Sequence, residues 1–175
     1  GDAAELLAAL TGQNAFVRRL PDGVTYRFHH MMKECALRVF LTLPQERRND
    51  CRRRFGAWYE QHRQYLHAMQ AYYQSGDYHA LLRVVQQDAG ILLSSLDPKN
   101  VLDFLDECPE DTLKAHPAAL LVLMRSMFNW RNIPRMLALR QLLLTAIDED
   151  PQRSAEERGN LLGECDLIMS FLCYN

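Results

Sequence analysis

From about residue 30 almost to the end of the sequence, apolar residues recur with the period of an α-helix, which leaves few other folds open. Val101, Phe104, Leu105 and Cys108, for example, follow the i, i+3, i+4, i+7 spacing that buries one face of a helix. Glycine and proline are scarce, with 8 and 7 residues, and they fall between such stretches. This distribution of glycine and proline is typical of a protein built from helices.

The stripes and their breaks set approximate helix limits. Pro44 ends the first helix, and Pro117 and Pro134 lie where a first helical turn tolerates proline. In the second helix, an apolar stripe is predicted from Cys51, Phe55, Trp58, Tyr59 and His62. The predicted helices cover residues 31–43, 46–62, 65–75, 78–88, 99–107, 117–130, 134–147 and 154–174.

A β-hairpin is predicted ahead of the helices. Segments 16–20 and 24–28 flank Pro21-Asp22-Gly23, where glycine accepts the positive φ of a tight turn. Val24, Tyr26 and Phe28 alternate with polar residues, so one face of the second strand is expected to be buried.

Two loops repeat one pattern along the chain. Gln64-Tyr65-x-x-Ala68 and Asp77-Tyr78-x-x-Leu81 have the same form, and Arg131-Asn132-Ile133 is a weaker copy. Loops this short force neighbouring helices to run antiparallel. The predicted fold class is therefore all-α, a tetratricopeptide-like α-α superhelix of stacked helical hairpins.

Composition narrows the functional classes. The formal net charge is −2, from 20 basic and 22 acidic residues, which argues against a dedicated nucleic-acid binder. No apolar run approaches the roughly 20 residues that span a bilayer, so no membrane partner is expected. The five cysteines form no CxxC pair, and this odd count predicts reduced thiols and a cytoplasmic location.

Two sets of residues are informative together: Tyr26-Arg27-Phe28-His29-His30, and the spaced residues Gly56, Tyr59, Tyr65, Ala68 and Tyr72. Both sets resemble a known bacterial family, the large MalT-like, LuxR-type transcription regulators. The stretch Tyr26-Arg27-Phe28-His29-His30 and the hairpin before it are similar to the end of that family's winged-helix domain. The resemblance implies a partial winged helix with one β-hairpin over residues 1–43, and a helical-repeat sensor region over residues 44–175. The repeats are matched at tetratricopeptide spacings by Gly56, Tyr59, Tyr65, Ala68 and Tyr72.

The resemblance also implies a function, that of the sensor and coupling region of a signal-transduction NTPase. A small-molecule inducer or an inhibitory protein would bind the repeats and shift the winged helix. ATP or ADP is expected for the full-length protein and not for this chain, which contains no GxxxxGK[ST] loop. DNA would be bound only through a C-terminal helix-turn-helix outside these residues. No cofactor and no enzymatic activity are therefore expected of the chain itself.

His29 receives a specific role from the resemblance. In related NTPases a winged-helix histidine reaches the β-phosphate of ADP and holds the resting state, and His29 occupies that position here. An imidazole N–H can donate to a phosphate oxygen, so the chemistry is sound. The alternative is that His29 and His30 only cap the helix that follows.

Other side chains are candidates from the residues alone. Tyr72 and Tyr73 are adjacent on one helix, so at least one is expected to face outward and to offer a surface to an effector or a protein partner. Arg48 and Arg52, one turn apart, could contact a phosphate, although such a basic face is usually only solvated. No zinc-type spacing of ligands occurs, so no metal is expected.

Two other functions stay open. A generic tetratricopeptide-like adaptor for protein–protein interaction would lack the winged-helix ending, so a β-hairpin at residues 16–28 counts against it. A small hydrolase would use the acidic cluster or a cysteine, and it requires a deep cleft at Asp103, Asp106 or Cys108.

Overall fold

Two units, Gly1–Arg48 and Asn49–Asn175, make up the chain. The structure is a computed structural model that describes residues 5, 8–9, 17–23, 25–91, 93 and 96–174. The domain boundary predicted between residues 43 and 44 falls in the loop just before the helix that contains the division between the units.

The first unit contains the predicted hairpin. Strand β1, Val17–Arg19, pairs antiparallel with β2, Tyr26–Phe28, and Val17 lies opposite Phe28. Gly23 has a φ of +70° in the turn, as expected. The prediction of a buried face on β2 is wrong for Phe28, which is 39% exposed, and Tyr26 is only half-buried. Residues 16 and 24 lie outside the described residues.

Helix α1, His30–Thr42, follows the hairpin and matches the first predicted helix closely. It begins at His29, whose Nδ1 accepts a hydrogen bond from the Met31 N–H at 3.3 Å. None of its residues is buried, and Met31, Leu37, Val39 and Leu41 are each more than half exposed.

The remaining helices follow the predicted order, with one addition. Helix α6 is a single short helix in the acidic segment that was expected to be a loop. No helix in the described ranges is both long and apolar enough to cross a membrane. The helices are α2 Gln45–Gln61, α3 Tyr65–Ser75, α4 Tyr78–Asp88, α5 Pro98–Glu107, α6 Glu110–Lys114, α7 Pro117–Asn129, α8 Ile133–Asp148 and α9 Ala155–Ser170, followed by a 3₁₀ turn at Phe171–Tyr174.

The three predicted copies of one turn share a backbone geometry. Arg63, Gly76 and Arg131 have φ values of 57°, 73° and 56°. The residue after each has a φ between −90° and −85° and a ψ between 64° and 75°. The N–H of that following residue donates a hydrogen bond to the carbonyl oxygen five residues earlier, at 2.8–3.0 Å. This closure reverses the chain between α2 and α3, α3 and α4, and α7 and α8, which confirms the predicted helical hairpins.

Helix α7 lies at the centre of the second unit. It contacts α4 and α9 and pairs with α8. Its side chains are buried from Ala119 to Met124 and again at Ser126 and Met127, so it is covered on most sides. A helix that is apolar all round is expected in this position, because neighbours pack against every face.

The stripe predicted for α2 is wrong. Phe55 and Trp58 are 59% and 51% exposed, and Trp58 stacks on His62 with ring centroids 3.9 Å apart. The buried residue of this helix is Gly56, against which the Tyr72 ring packs. Because Gly56 has no side chain, the two helices approach closely at this point, and this contact outweighs the aromatic pattern.

Candidate functional site

An apolar pocket of about 240 Å³ lies between α3, α4, α5 and α7. Helix α3 lines it with Leu66, Met69, Gln70 and Tyr73, which recur at i, i+3, i+4 and i+7 and so share one helical face. The sequence pattern therefore contained this wall of the site, but not what lies opposite to it.

The opposite walls come from the next helix and from two more distant ones. Leu81 and Val85, at i and i+4, line the pocket from α4, and Val101 and Phe104, at i and i+3, line it from α5. Leu123 closes it from α7. Leu123 and Val85 are almost fully buried, so this end lies deep in the core.

The polar groups of the pocket are few. Gln70 and Asn100 are exposed, so they mark the side on which the pocket meets solvent. Tyr73 is half-buried, and burial raises the pKa of its hydroxyl, as does its hydrogen bond with Glu107. Tyr73 is therefore neutral near pH 7. Since none of the described lining residues is Asp, Glu, Lys, Arg or His, these residues give the pocket walls no formal charge.

An aromatic group holds the outer wall in place. The Tyr73 ring meets Phe104 edge-on, with centroids 6.4 Å apart, and Tyr78 lies 5.8 Å from the same ring. The Tyr78 hydroxyl donates to Glu107 at 3.3 Å, so Glu107 is the hydrogen-bond partner of both tyrosine hydroxyls. These contacts join α3, α4 and α5 around the pocket.

Tyr72 faces away from the pocket and is 3% exposed. Its hydroxyl donates to Glu60 Oε2 at 2.7 Å, and Arg83 donates to both oxygens of Glu60 at 3.0 and 2.8 Å. The hydrogen bonds from Arg83 lower the pKa of Glu60, whereas burial and the bond to Glu60 raise the pKa of Tyr72 to about 12. At least one of Tyr72 and Tyr73 is expected to face outward, and Tyr72 is not that one. This residue joins α2, α3 and α4.

A pair of histidines connects α4 to the start of α7. His79 Nδ1 lies 3.1 Å from His116 Nε2, which is a hydrogen bond that one shared proton can make. Burial lowers the pKa of His116, and the positive charges of His79 and Arg83 lower it further. Sequence reasoning missed this pair, because the two residues lie 37 positions apart with no pattern to link them.

The residues predicted around α1 have local partners. His29 is the N-cap described above, in line with the capping alternative. His30 Nε2 lies 3.2 Å from Glu34 Oε1, one turn later on the exposed side of the helix. The nucleotide-sensing role of His29 stays a prediction.

The two candidate phosphate-binding arginines also bond within the chain. The Arg48 Nη2 donates to Gln45 Oε1 at 2.6 Å, while its buried Nε has no hydrogen-bond partner among the described residues. Arg52 is half-buried and donates to the Gln74 carbonyl at 3.1 Å, so it ties α2 to the end of α3. Both side chains are half-buried, and a phosphate contact at either stays a prediction.

The acidic segment shows no catalytic arrangement. Asp103 and Asp106 are exposed, and Asp106 pairs with Arg135 at 2.5 Å. Cys108 is buried, which raises the pKa of its thiol to about 11, so it is a poor nucleophile. None of the three lines the apolar pocket.

In the described part of the chain, no three His, Cys, Asp or Glu side chains converge as they would around a metal ion. Comparison with known proteins gives no match: no family model, curated protein or solved structure is significantly similar to this chain.

Proposed function

We propose that this chain is the sensor and coupling region of a LuxR-type transcription regulator, and that its helical unit binds an effector in the apolar pocket. The observation that carries the proposal is the pocket itself, an uncharged space of about 240 Å³ between four helices. Protein interiors are close-packed, and a ligand site is typically an apolar concavity with a few polar groups.

The link to this class of regulator rests on the first unit. A β-hairpin leads directly into the helix capped by His29, in the order that the resemblance of Tyr26-Arg27-Phe28-His29-His30 implies. Helical hairpins joined by a repeated turn follow, as a sensor region of this type requires. The full-length protein would bind ATP or ADP in another domain and DNA through a separate helix-turn-helix.

The pocket is well placed for coupling. Its walls come from four helices and from Leu93 and Leu96 in the α4–α5 connection, and three of the helices are also joined by the Glu107 and Phe104 contacts. A ligand held there contacts every one of these helices, so it favours one packing arrangement over another. An effector shifts such an equilibrium only by its difference in affinity for the two arrangements. An inhibitory protein could use the same equilibrium from outside.

A second candidate, a tetratricopeptide-like adaptor, is favoured by one observation. Phe55 and Trp58 form an exposed aromatic pair on α2, and aromatic residues are enriched at protein interfaces. The hairpin at β1 and β2 counts against it, since an adaptor needs no winged-helix ending.

A reporter assay tests the proposed function. The gene that encodes this chain is expected to continue into a phosphate-binding loop on one side and a helix-turn-helix on the other. In that gene, Leu66→Trp would fill the pocket. Reporter expression is then expected to stay the same with and without the inducing condition. Leu137→Trp, at an exposed position of α8, is the matched control. A normal response from both variants would contradict the proposal.

His29 allows a separate test in the same full-length protein. His29→Ser keeps an N-cap oxygen but is too short to reach a phosphate, whereas His29→Ala removes both functions. Loss of ADP retention in both variants supports nucleotide sensing. Loss in the alanine variant alone assigns His29 to capping.

A further inference from the structure

We infer that the pocket takes an uncharged, largely hydrocarbon molecule of about ten non-hydrogen atoms that carries one hydrogen-bonding group. This inference rests on the proposed function and adds the chemical class of the effector. It follows from three properties of the walls: their charge, their volume and the position of their amides.

Charge is the first property. Among the residues that the structure describes, Tyr73 is the one ionisable side chain in the pocket lining, and its hydroxyl is neutral and bonded to Glu107. Glu107 also accepts the hydrogen bond of Tyr78. An ionised ligand would therefore lose its hydration without gaining an opposite charge, which is a large free-energy cost. Carboxylates, phosphates and ammonium ions are excluded on this ground.

Volume is the second property. An apolar cavity of about 150 Å³ is large enough for benzene, which has six carbon atoms. In proportion, the 240 Å³ of this pocket correspond to a molecule of about ten non-hydrogen atoms. A two-ring aromatic compound or a medium-length alkyl chain has this size.

The amides are the third property. Gln70 on α3 and Asn100 on α5 both lie at the exposed side, while Leu81, Val85 and Leu123 form the buried side. The hydrocarbon part of the ligand therefore enters first. Its single hydroxyl or carbonyl stays at the mouth, where an amide can donate to it or accept from it.

Calorimetric titration of the chain with three two-ring probes tests the inference. The probes are 1-naphthol, 1-naphthoate and 1-naphthylmethylammonium, which are neutral, anionic and cationic at pH 7.5. The neutral probe is expected to bind at least about tenfold more tightly than either ion. Equal or tighter binding of an ion, or no binding of the neutral probe, would overturn the inference.

Two variants locate the binding. Leu66→Trp is expected to weaken 1-naphthol at least about tenfold by occupying its volume, and Leu137→Trp to leave it unchanged. Gln70→Leu alters an exposed residue that the fold does not need, and it is expected to weaken 1-naphthol severalfold while naphthalene binds as before. Unchanged 1-naphthol binding in both pocket variants would place the ligand elsewhere and overturn the inference.

The outcomes separate the inference from the proposed function. If an ion binds best at the pocket and Leu66→Trp still abolishes the reporter's response to the inducing condition, the ligand class is wrong and the sensor role stands. If 1-naphthol binds as expected but Leu66→Trp leaves the reporter response unchanged, the ligand class is supported and the sensor role is wrong.

Discussion

Among single residues, Gly56 determines how closely α2 approaches α3. A Cβ at this position would lie 2.6 Å from Cε1 of Tyr72. The ring cannot retreat, because Tyr72 is buried and its hydroxyl is held by Glu60. We expect Gly56→Ala to lower the free energy of unfolding by about 1–3 kcal/mol, measured by urea denaturation.

Gly163 provides the control for this substitution. It also lies inside a helix, α9, but nothing approaches within 4 Å of its missing Cβ. Gly163→Ala is expected to raise the free energy of unfolding by about 0.5–1 kcal/mol, through helix propensity alone. A similar gain for Gly56→Ala would refute the close contact.

His116 carries a pH dependence. Its pKa is lowered by burial and by the positive charges of His79 and Arg83, so the unfolded chain binds a proton more readily than the folded one. The free energy of unfolding therefore falls as pH decreases through the ordinary histidine pKa of about 6.5, and this loss is complete below the folded pKa.

Histidine NMR titration measures this effect directly. In His79→Gln the pKa of His116 is expected to rise toward its ordinary value, because one positive neighbour is lost, but burial keeps it below that value. The result that would contradict this account is a His116 pKa unaffected by the substitution.

At the level of helices and turns, the repeated turn predicts which residues are favoured at its left-handed position. Gly76 has left-handed backbone and open space around its missing Cβ, so Gly76→Ala changes only the backbone preference. The free energy of unfolding should fall by about 1 kcal/mol. Arg63→Gly, at the equivalent position of the preceding turn, should raise the free energy of unfolding, because glycine accepts the left-handed backbone. The gain should be less than about 1 kcal/mol, since glycine also loses more backbone freedom on folding.

Thermal and urea unfolding of both variants test the equivalence of the turns. Opposite signs for Gly76→Ala and Arg63→Gly are the expected result. Destabilisation by both substitutions would mean that the two turns are not equivalent, despite their matching dihedral angles.

The sequence predicts elements better than it predicts what lies between them. Helix limits were readable because proline, glycine and capping residues act locally, as at Pro117 and Asp77. The inward face of α2 was not readable from the sequence, because it depends on where Tyr72 and Arg83 lie in neighbouring helices. The α3 wall of the pocket was present in the pattern, but the pocket exists only once α4, α5 and α7 face that wall.

At the scale of the whole molecule, the second unit contains its own core. Apart from Val17, the buried apolar residues among those described lie between Ala68 and Ile168. We expect a piece covering residues 44–175, which keeps α2 intact, to unfold in one cooperative thermal transition followed by circular dichroism. A broad, non-cooperative transition would show that this unit depends on the preceding residues.

The account depends most on whether a ligand enters the space between α3, α4, α5 and α7. Methyl NMR of the labelled chain during titration with 1-naphthol gives the most direct answer. We predict saturable shifts of the Leu81, Val85 and Leu123 methyl signals, while those of Leu143, buried on α8, stay in place. Shifts confined to exposed residues such as Leu137 and Leu167, or no shifts at all, would contradict the account.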